Sequence, residues 1–359
     1  MGKKLRVLVA GAAFSADLHM DGYSRILDKV EIAAIADKDL QRIKALADRY
    51  GITGYTAYDS FEEAIEKTEC DMVDICMPNF LHHAVGMAAL KKGRHILCEK
   101  PLTTTVADGK ELIEFAKKAG KRVYYAEDWL GAPALRKALS IIDSGKLGKL
   151  LFIRARECHN GSHSPYAQTI GYCGGGCMIH LGVHPVGFLL ALKNNRWSEL
   201  VALTTGGKDK NLRHKTMEGE DWAAALIRFE DGTTAVAEAN YVSEGGMEDY
   251  IDFYCTEGCL HVDLTFSSAL RAFSKPGLDY TVEKADITTG WSNPAVDEKY
   301  NLGYVAEIAH FVECAQDNRE ARIGLRGIDG LEALEVVNLI YSSAREGRKI
   351  INEKVRKQG

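Results

Sequence analysis

The stretch Leu5-Arg6-Val7-Leu8-Val9-Ala10-Gly11-Ala12-Ala13-Phe14-Ser15-Ala16 decides how the rest of the chain is read. Its first six residues form a short, nearly continuous apolar run, as expected of a parallel strand buried on both faces. A glycine turn and a helix-length segment follow. The turn reads as G-x-G-x-x-G with alanine at the second and third glycine positions. The first glycine allows the tight turn, and the second normally lets a pyrophosphate approach the backbone. The third lets helix and strand pack closely, and alanine often serves there. Gly11, Ala12, Ala13, Phe14 and Ser15 are therefore candidate dinucleotide contacts, with Ala13 leaving the phosphates less room. The competing reading takes KKLR and the following apolar residues as a secretion signal; the run is short for that and Gly11 interrupts it.

Working outward, VEIAAIAD (30–37) repeats the buried-strand pattern and ends in Asp37. An acidic residue about 20 positions after the glycine turn accepts hydrogen bonds from the adenosine ribose. The same carboxylate repels a 2′-phosphate, so NAD is expected over NADP, although Lys38 beside it weakens that preference. Asp37 could instead help cap the helix DLQRIKALADRY, a role Asp39 could fill alone. Strands then alternate with helices through RVYYA (122–126), which implies a doubly wound parallel sheet. Beyond residue 126 the strands lengthen and take a period of two: LLFIRARE, ELVALTTG, WAAALIRFE, TTAVAEANYV, YIDFYCTEG and LHVDLTF. IRFEDGTTAVAE reads as a hairpin around Asp231-Gly232. The second part is expected to be α+β, with a mostly antiparallel open sheet and two closing helices near 303–317 and 327–346. The domains are drawn at 1–126 and 127–359.

The bulk numbers agree with a globular enzyme. The chain has 359 residues, 46% hydrophobic and 26% charged, with a net charge of −5. That charge and the lack of a dense Lys/Arg block argue against nucleic acid or an anionic membrane as a partner. No run approaches the ~18 apolar residues of a membrane span. Nine cysteines, several inside apolar strands, read as buried thiols of a reducing compartment, so a cytoplasmic location is expected.

Two strand-end segments narrow the reading. Met77-Pro78-Asn79-Phe80-Leu81-His82 and Cys98-Glu99-Lys100-Pro101 both close strands at the carboxyl edge of the parallel sheet, where ligands of open α/β folds collect. A later stretch runs Gly174-Gly175-Gly176-Cys177-Met178-Ile179-His180-Leu181-Gly182-Val183-His184, and a helix begins G-Y-x-x-E-I-x-H-F-V at Gly303. In this order, along the whole chain, these motifs resemble the glucose–fructose oxidoreductase / inositol dehydrogenase / rhizopine catabolism (Gfo/Idh/MocA) family. The resemblance implies a nicotinamide-dependent oxidation of a secondary alcohol on a sugar, glycoside or cyclic polyol. It matches Lys100 to the lysine beside nicotinamide and reacting hydroxyl, and His184 to the histidine that exchanges the substrate proton. Pro78, Asn79, His82 and Glu99 match cofactor-cradling positions. His180 stands where the family usually has Asp, and Gly187 where many relatives carry another, so the polar pocket is altered. The resemblance also implies a homo-oligomer, dimer or tetramer, formed through the second sheet.

Other readings stay open at this point. His180 and His184 are four apart and would share one helical face; with Cys158, His159 and His163 upstream they could bind zinc. The Gly/Pro-punctuated loop between them argues against convergence, so no metal is assigned. Trp129, Tyr166 and Tyr304 are candidates to stack on a sugar ring. Relatives that oxidise C3 of a glycoside transiently, so that elimination cleaves it, offer a second activity, and a non-catalytic NAD-binding regulator a third possibility.

Overall fold

The first strand, β1 (Leu5–Ala10), alternates its side chains between two cores, which explains its unbroken apolar sequence. Val7 and Val9 enter one buried cluster, while Leu8 and Ala10 enter another on the opposite face. In this computed structural model, which describes residues 3–279 and 281–353, the chain divides into two compact units. The first comprises Met1–Gly131 and Gly303–Leu331, the second Ala132–Leu302 and Glu332–Gly359.

In the first unit β1 leads through α1 (Phe14–Ser24), β2 (Val30–Ala36), α2 (Leu40–Arg49), β3 (Thr56–Tyr58) and α3 (Phe61–Lys67). It continues with β4 (Met72–Ile75), α4 (His82–Lys91), β5 (His95–Cys98), α5 (Val106–Ala119) and β6 (Val123–Tyr125). The six strands are all parallel, in the order β3-β2-β1-β4-β5-β6. Strand order reverses at β1, and a ligand crevice opens outside the carboxyl ends at such a switch point. This is the doubly wound sheet expected of the strand–helix alternation.

The second unit starts with α6 (Pro133–Asp143), then β7 (Leu150–Cys158), α7 (Ile170–Cys173), α8 (Cys177–His180) and α9 (Val183–Leu192). It goes on through β8 (Trp197–Thr204), β9 (Trp222–Phe229), β10 (Thr234–Asn240), β11 (Glu248–Cys255) and β12 (Cys259–Asp263). A small ribbon, β13 (Ala272–Ser274) with β14 (Gly290–Ser292), and α10 (Glu298–Leu302) follow; α11 (Tyr304–Gln316) belongs to the first unit, and α12 (Gly327–Glu346) begins there and leads back to β15 (Ile350–Ile351). The large sheet runs β12-β11-β7-β10-β9-β8-β15 and is antiparallel except for the β7–β10 pair. The β9–β10 hairpin turns at Asp231-Gly232, where Gly232 takes φ +86°. One face of the sheet carries α9. The other is open and shows Val201, Leu203 and Leu226.

One boundary differs from the sequence reading. Residues 303–331, drawn with the second domain, belong to the first unit. The cause is the apolar face of α11: Ile308, Phe311, Val312 and Ala315 join Met20, Tyr23 and Val9 in the first unit's core. Chain order alone could not place that face. All nine cysteines are free thiols. Among the described residues no single helix is long and apolar enough to cross a membrane. The bent pair 170–180 and 183–192 passes that test only jointly.

Candidate active site

At the carboxyl end of β1, Gly11 takes φ +109°, and a Cβ there would lie 2.2 Å from the carbonyl oxygen of Cys76. Only glycine fits. Ala13 follows as the N-cap of α1 and makes no side-chain cap to it. Ala16 is fully buried, as its close-packing position requires. Asp37 accepts the amides of Ala12 and Asp39, each at 2.9 Å, and so ties the glycine turn to the end of β2. The helix α2 is capped by Asp39, not by Asp37. Arg42, which the sequence reading did not single out, lies 3.5 Å from Asp37. Phe14 and Lys38 are exposed.

The two strand-end motifs meet through His82. Its ring nitrogens lie 2.8 Å from the carbonyls of Met77 and Pro101. His82 is thus a buried clamp between the Pro78-Asn79 and Glu99-Lys100 segments, and burial lowers its pKa. Glu99 accepts the amide of Lys100 at 3.0 Å. Its other oxygen meets Nε2 of His19, whose Nδ1 faces Asp74 at 2.9 Å; Tyr23 donates to the same aspartate. Burial opposes charge on His19, but Asp74 and Cys76 outweigh it and its pKa stands well above the usual histidine value. Burial likewise opposes charge on Glu99, yet His19 holds its carboxyl below the ordinary range. Glu307 is fully buried, and burial with Asp128 and Glu99 pushes its pKa well up.

This network was missed by sequence reasoning, although one signal was present. Asp74 is a charged residue inside the buried run MVDICM, and a carboxylate there needs partners.

In the second unit the glycine run is explained by what lies against it. A Cβ on Gly175 would lie 2.4 Å from the Tyr341 hydroxyl oxygen, and one on Gly176 would lie 2.1 Å from the Glu220 carbonyl oxygen. Glu220 accepts the amides of Gly176 and Met178 and the Tyr341 hydroxyl, and so caps α8. Burial nevertheless raises its pKa.

His180 and His184 do not share a helix face. The chain breaks at Leu181-Gly182, and the segments 170–180 and 183–192 are bent by 56°. Pro185 has no N–H for the Leu181 carbonyl four residues back, which accepts from His184 instead. His180 Nδ1 lies 2.8 Å from the Tyr241 hydroxyl, whereas the buried His184 faces Glu157 at 3.7 Å. His163 turns to Glu283, and His159 accepts the Gly161 amide. The hydrogen-bonding and ion-pair partners of these four histidines differ, although His159 and His180 both pack against the ring of Tyr241.

The three aromatics fare differently. Trp129 is 1% exposed and serves packing, so its ring offers no face for stacking. Tyr304 lies on α11 in the first unit, its ring 6.5 Å from that of His19. Tyr166 is exposed and edge-on to Tyr172.

Comparison with known proteins agrees with this layout. Residues 5–127 match the oxidoreductase family with an NAD-binding Rossmann fold, and residues 135–261 match the GFO/IDH/MocA C-terminal domain. The chain is 24% identical to D-apiose dehydrogenase of Paraburkholderia graminis, over 97% of this chain and 90% of that one. It is 28% identical to D-glucoside 3-dehydrogenase of Escherichia coli, over 50% of this chain and 51% of that one. The solved structure of GenD2 from gentamicin A biosynthesis, in complex with NAD, superposes with a TM-score of 0.87 at 23% identity. The match covers 98% of this chain and 97% of GenD2.

Proposed function

We propose, for a chain that belongs to the GFO/IDH/MocA oxidoreductase family and carries its NAD-binding Rossmann domain, that the reaction is reversible oxidation of a secondary alcohol on a sugar, glycoside or cyclic polyol. The observation that carries this reading is the edge of the parallel sheet, where a cradle and a lysine are built together. Gly11 leaves no Cβ in the cradle, the first turn of α1 lacks a side-chain cap, and Asp37 closes β2. These features suit a dinucleotide: the helix N-terminus takes the pyrophosphate and Asp37 the ribose hydroxyls. NAD, when bound, supplies the hydride acceptor.

The protein's own residues then handle the proton. Lys100, held at its amide by Glu99, takes up or returns the hydroxyl proton together with His184. Glu157 faces His184 at 3.7 Å. His180, bonded to Tyr241, positions the substrate. A carbohydrate substrate is supported by relatives named D-apiose dehydrogenase and D-glucoside 3-dehydrogenase. The second of those names places oxidation at position 3 of a glucoside, the first step of an alternative in which the oxidation is transient and elimination follows. We further propose a cytoplasmic homo-oligomer joined through the open face of the second sheet.

The test is a panel of sugars, inositols and glycosides with NAD, following NADH absorbance and products by mass spectrometry. NADH formed in step with a ketone product supports net oxidation. Glycoside cleavage without net NADH identifies the transient route. No product from any member, with NAD bound, leaves a non-catalytic regulator and overturns the proposal.

A further inference from the structure

The second unit holds a cavity of about 260 Å³, lined among others by Ser162, Gln168, His214, Tyr241 and Lys284. That is below the roughly 300–1,000 Å³ of pockets that take whole ligands, and suits one ring or substituent. Its only lysine is half-buried Lys284, and no described residue forms an ion pair with it. The two carboxylates nearest in sequence favour its charge from a distance but make no ion pair with it: Glu283 pairs with His163 at 2.9 Å, and Asp286 accepts from the side-chain amide of Asn160. The hydroxyl hydrogen of Ser162 and the side-chain amide of Gln168 also have no partner among the described residues. The cavity therefore presents one cation and two neutral donors without matching acceptors.

Its position links it to the site. Tyr241 lines the cavity, and its hydroxyl is the group bonded to His180. We infer that this cavity is an anion subsite, so that the substrate carries a carboxylate or phosphoryl group paired with Lys284; this rests on the carbohydrate reading above. An ammonium is a compact point charge, so both anions share the recognition chemistry. Burial lowers the pKa of Lys284, and an anionic partner would restore it.

The experiment is calorimetric titration of the NAD-loaded protein with methyl β-D-glucoside, methyl β-D-glucuronide and glucose 6-phosphate. At least one anionic probe should bind about tenfold or more tightly than the neutral one, the scale of a hydrogen bond to a charged group. The better of the two identifies the source of the anion. K284M should remove that margin and K284R keep most of it. The double variant S162A/Q168A, which retains the charge, should narrow it several-fold and serves if K284M does not fold. Equal or tighter binding of the neutral probe, or a margin that survives K284M, overturns the inference. Because binding is read, an anion preference that K284M removes, together with no product from any member of the panel, would refute the dehydrogenase reading while the subsite stands. Turnover of neutral sugars without anion preference would do the reverse.

Discussion

Nε2 of His19 lies 3.0 Å from Oε1 of Glu99, the residue that fixes the amide of Lys100. Both ring nitrogens of His19 meet carboxylate oxygens, which only accept when ionised, so the imidazolium is the form that satisfies both. Helix α1, β4 and the end of β5 are thereby joined by one buried cation. Tyr23, Cys76, Tyr304 and Glu307 are the other titratable groups around it.

Loss of that cation leaves two buried carboxylates facing each other's charge. His19→Ala should lower unfolding free energy by about 3–5 kcal/mol, the cost of breaking a buried pair from one side. His19 has a raised pKa, so its contribution is full below the unfolded value near ~6.5 and fades as pH rises through the folded value. Glu99 has a lowered pKa, so its contribution is present above its unfolded value and fades as pH falls through the folded one. Urea melts across pH should show the alkaline loss in the parent protein and not in His19→Gln. A His19→Gln profile identical to the parent's would refute the charge assignment.

Asp37 is expected to set the cofactor preference toward NAD. Its substitution by Ser removes the carboxylate and leaves Arg42, now 3.5 Å from it and half exposed, available for a 2′-phosphate. Calorimetry should find NAD preferred by the parent protein and the preference narrowed or reversed in Asp37→Ser. Tighter binding of NADP to the parent protein contradicts the assignment.

Lys100→Ala and His184→Ala should each reduce turnover by about 10²-fold or more, the scale of one acid–base group, while NAD still binds. His180→Ala should chiefly raise KM, as lost uniform binding does. Steady-state kinetics on any substrate found in the panel decide this. If His180→Ala abolishes turnover and His184→Ala leaves it near the parent value, the two roles are exchanged.

Val201 and Leu226 are register partners on the open face of the second sheet, with Leu203 two residues along. A contiguous apolar patch of this kind marks an association surface. The double variant Val201→Asp, Leu226→Asp should convert an oligomer into monomers in sedimentation equilibrium without loss of secondary structure. A parent protein that is already monomeric removes the proposal.

The sequence by itself determined the parallel sheet, because two-sided burial demands unbroken apolar strands and these recur between helices through residue 126. It also determined the glycine turn at position 11 and Asp37 as the residue closing the second strand, since turn chemistry is local and regularly spaced; that Asp37 accepts the Ala12 amide is tertiary. The second sheet was legible for the same reason, through its period of two and the Asp231-Gly232 turn. Tertiary structure alone decided the rest. The apolar face of α11 could serve either unit, and only packing against Met20 and Tyr23 assigns it to the first. A four-residue spacing suggested that His180 and His184 share a face, but Pro185 interrupts the helix and sends them to Tyr241 and Glu157. The pairing of His19 with Glu99 spans 80 positions. Such contacts carry no local period, so they become visible only when the strands that hold them are side by side.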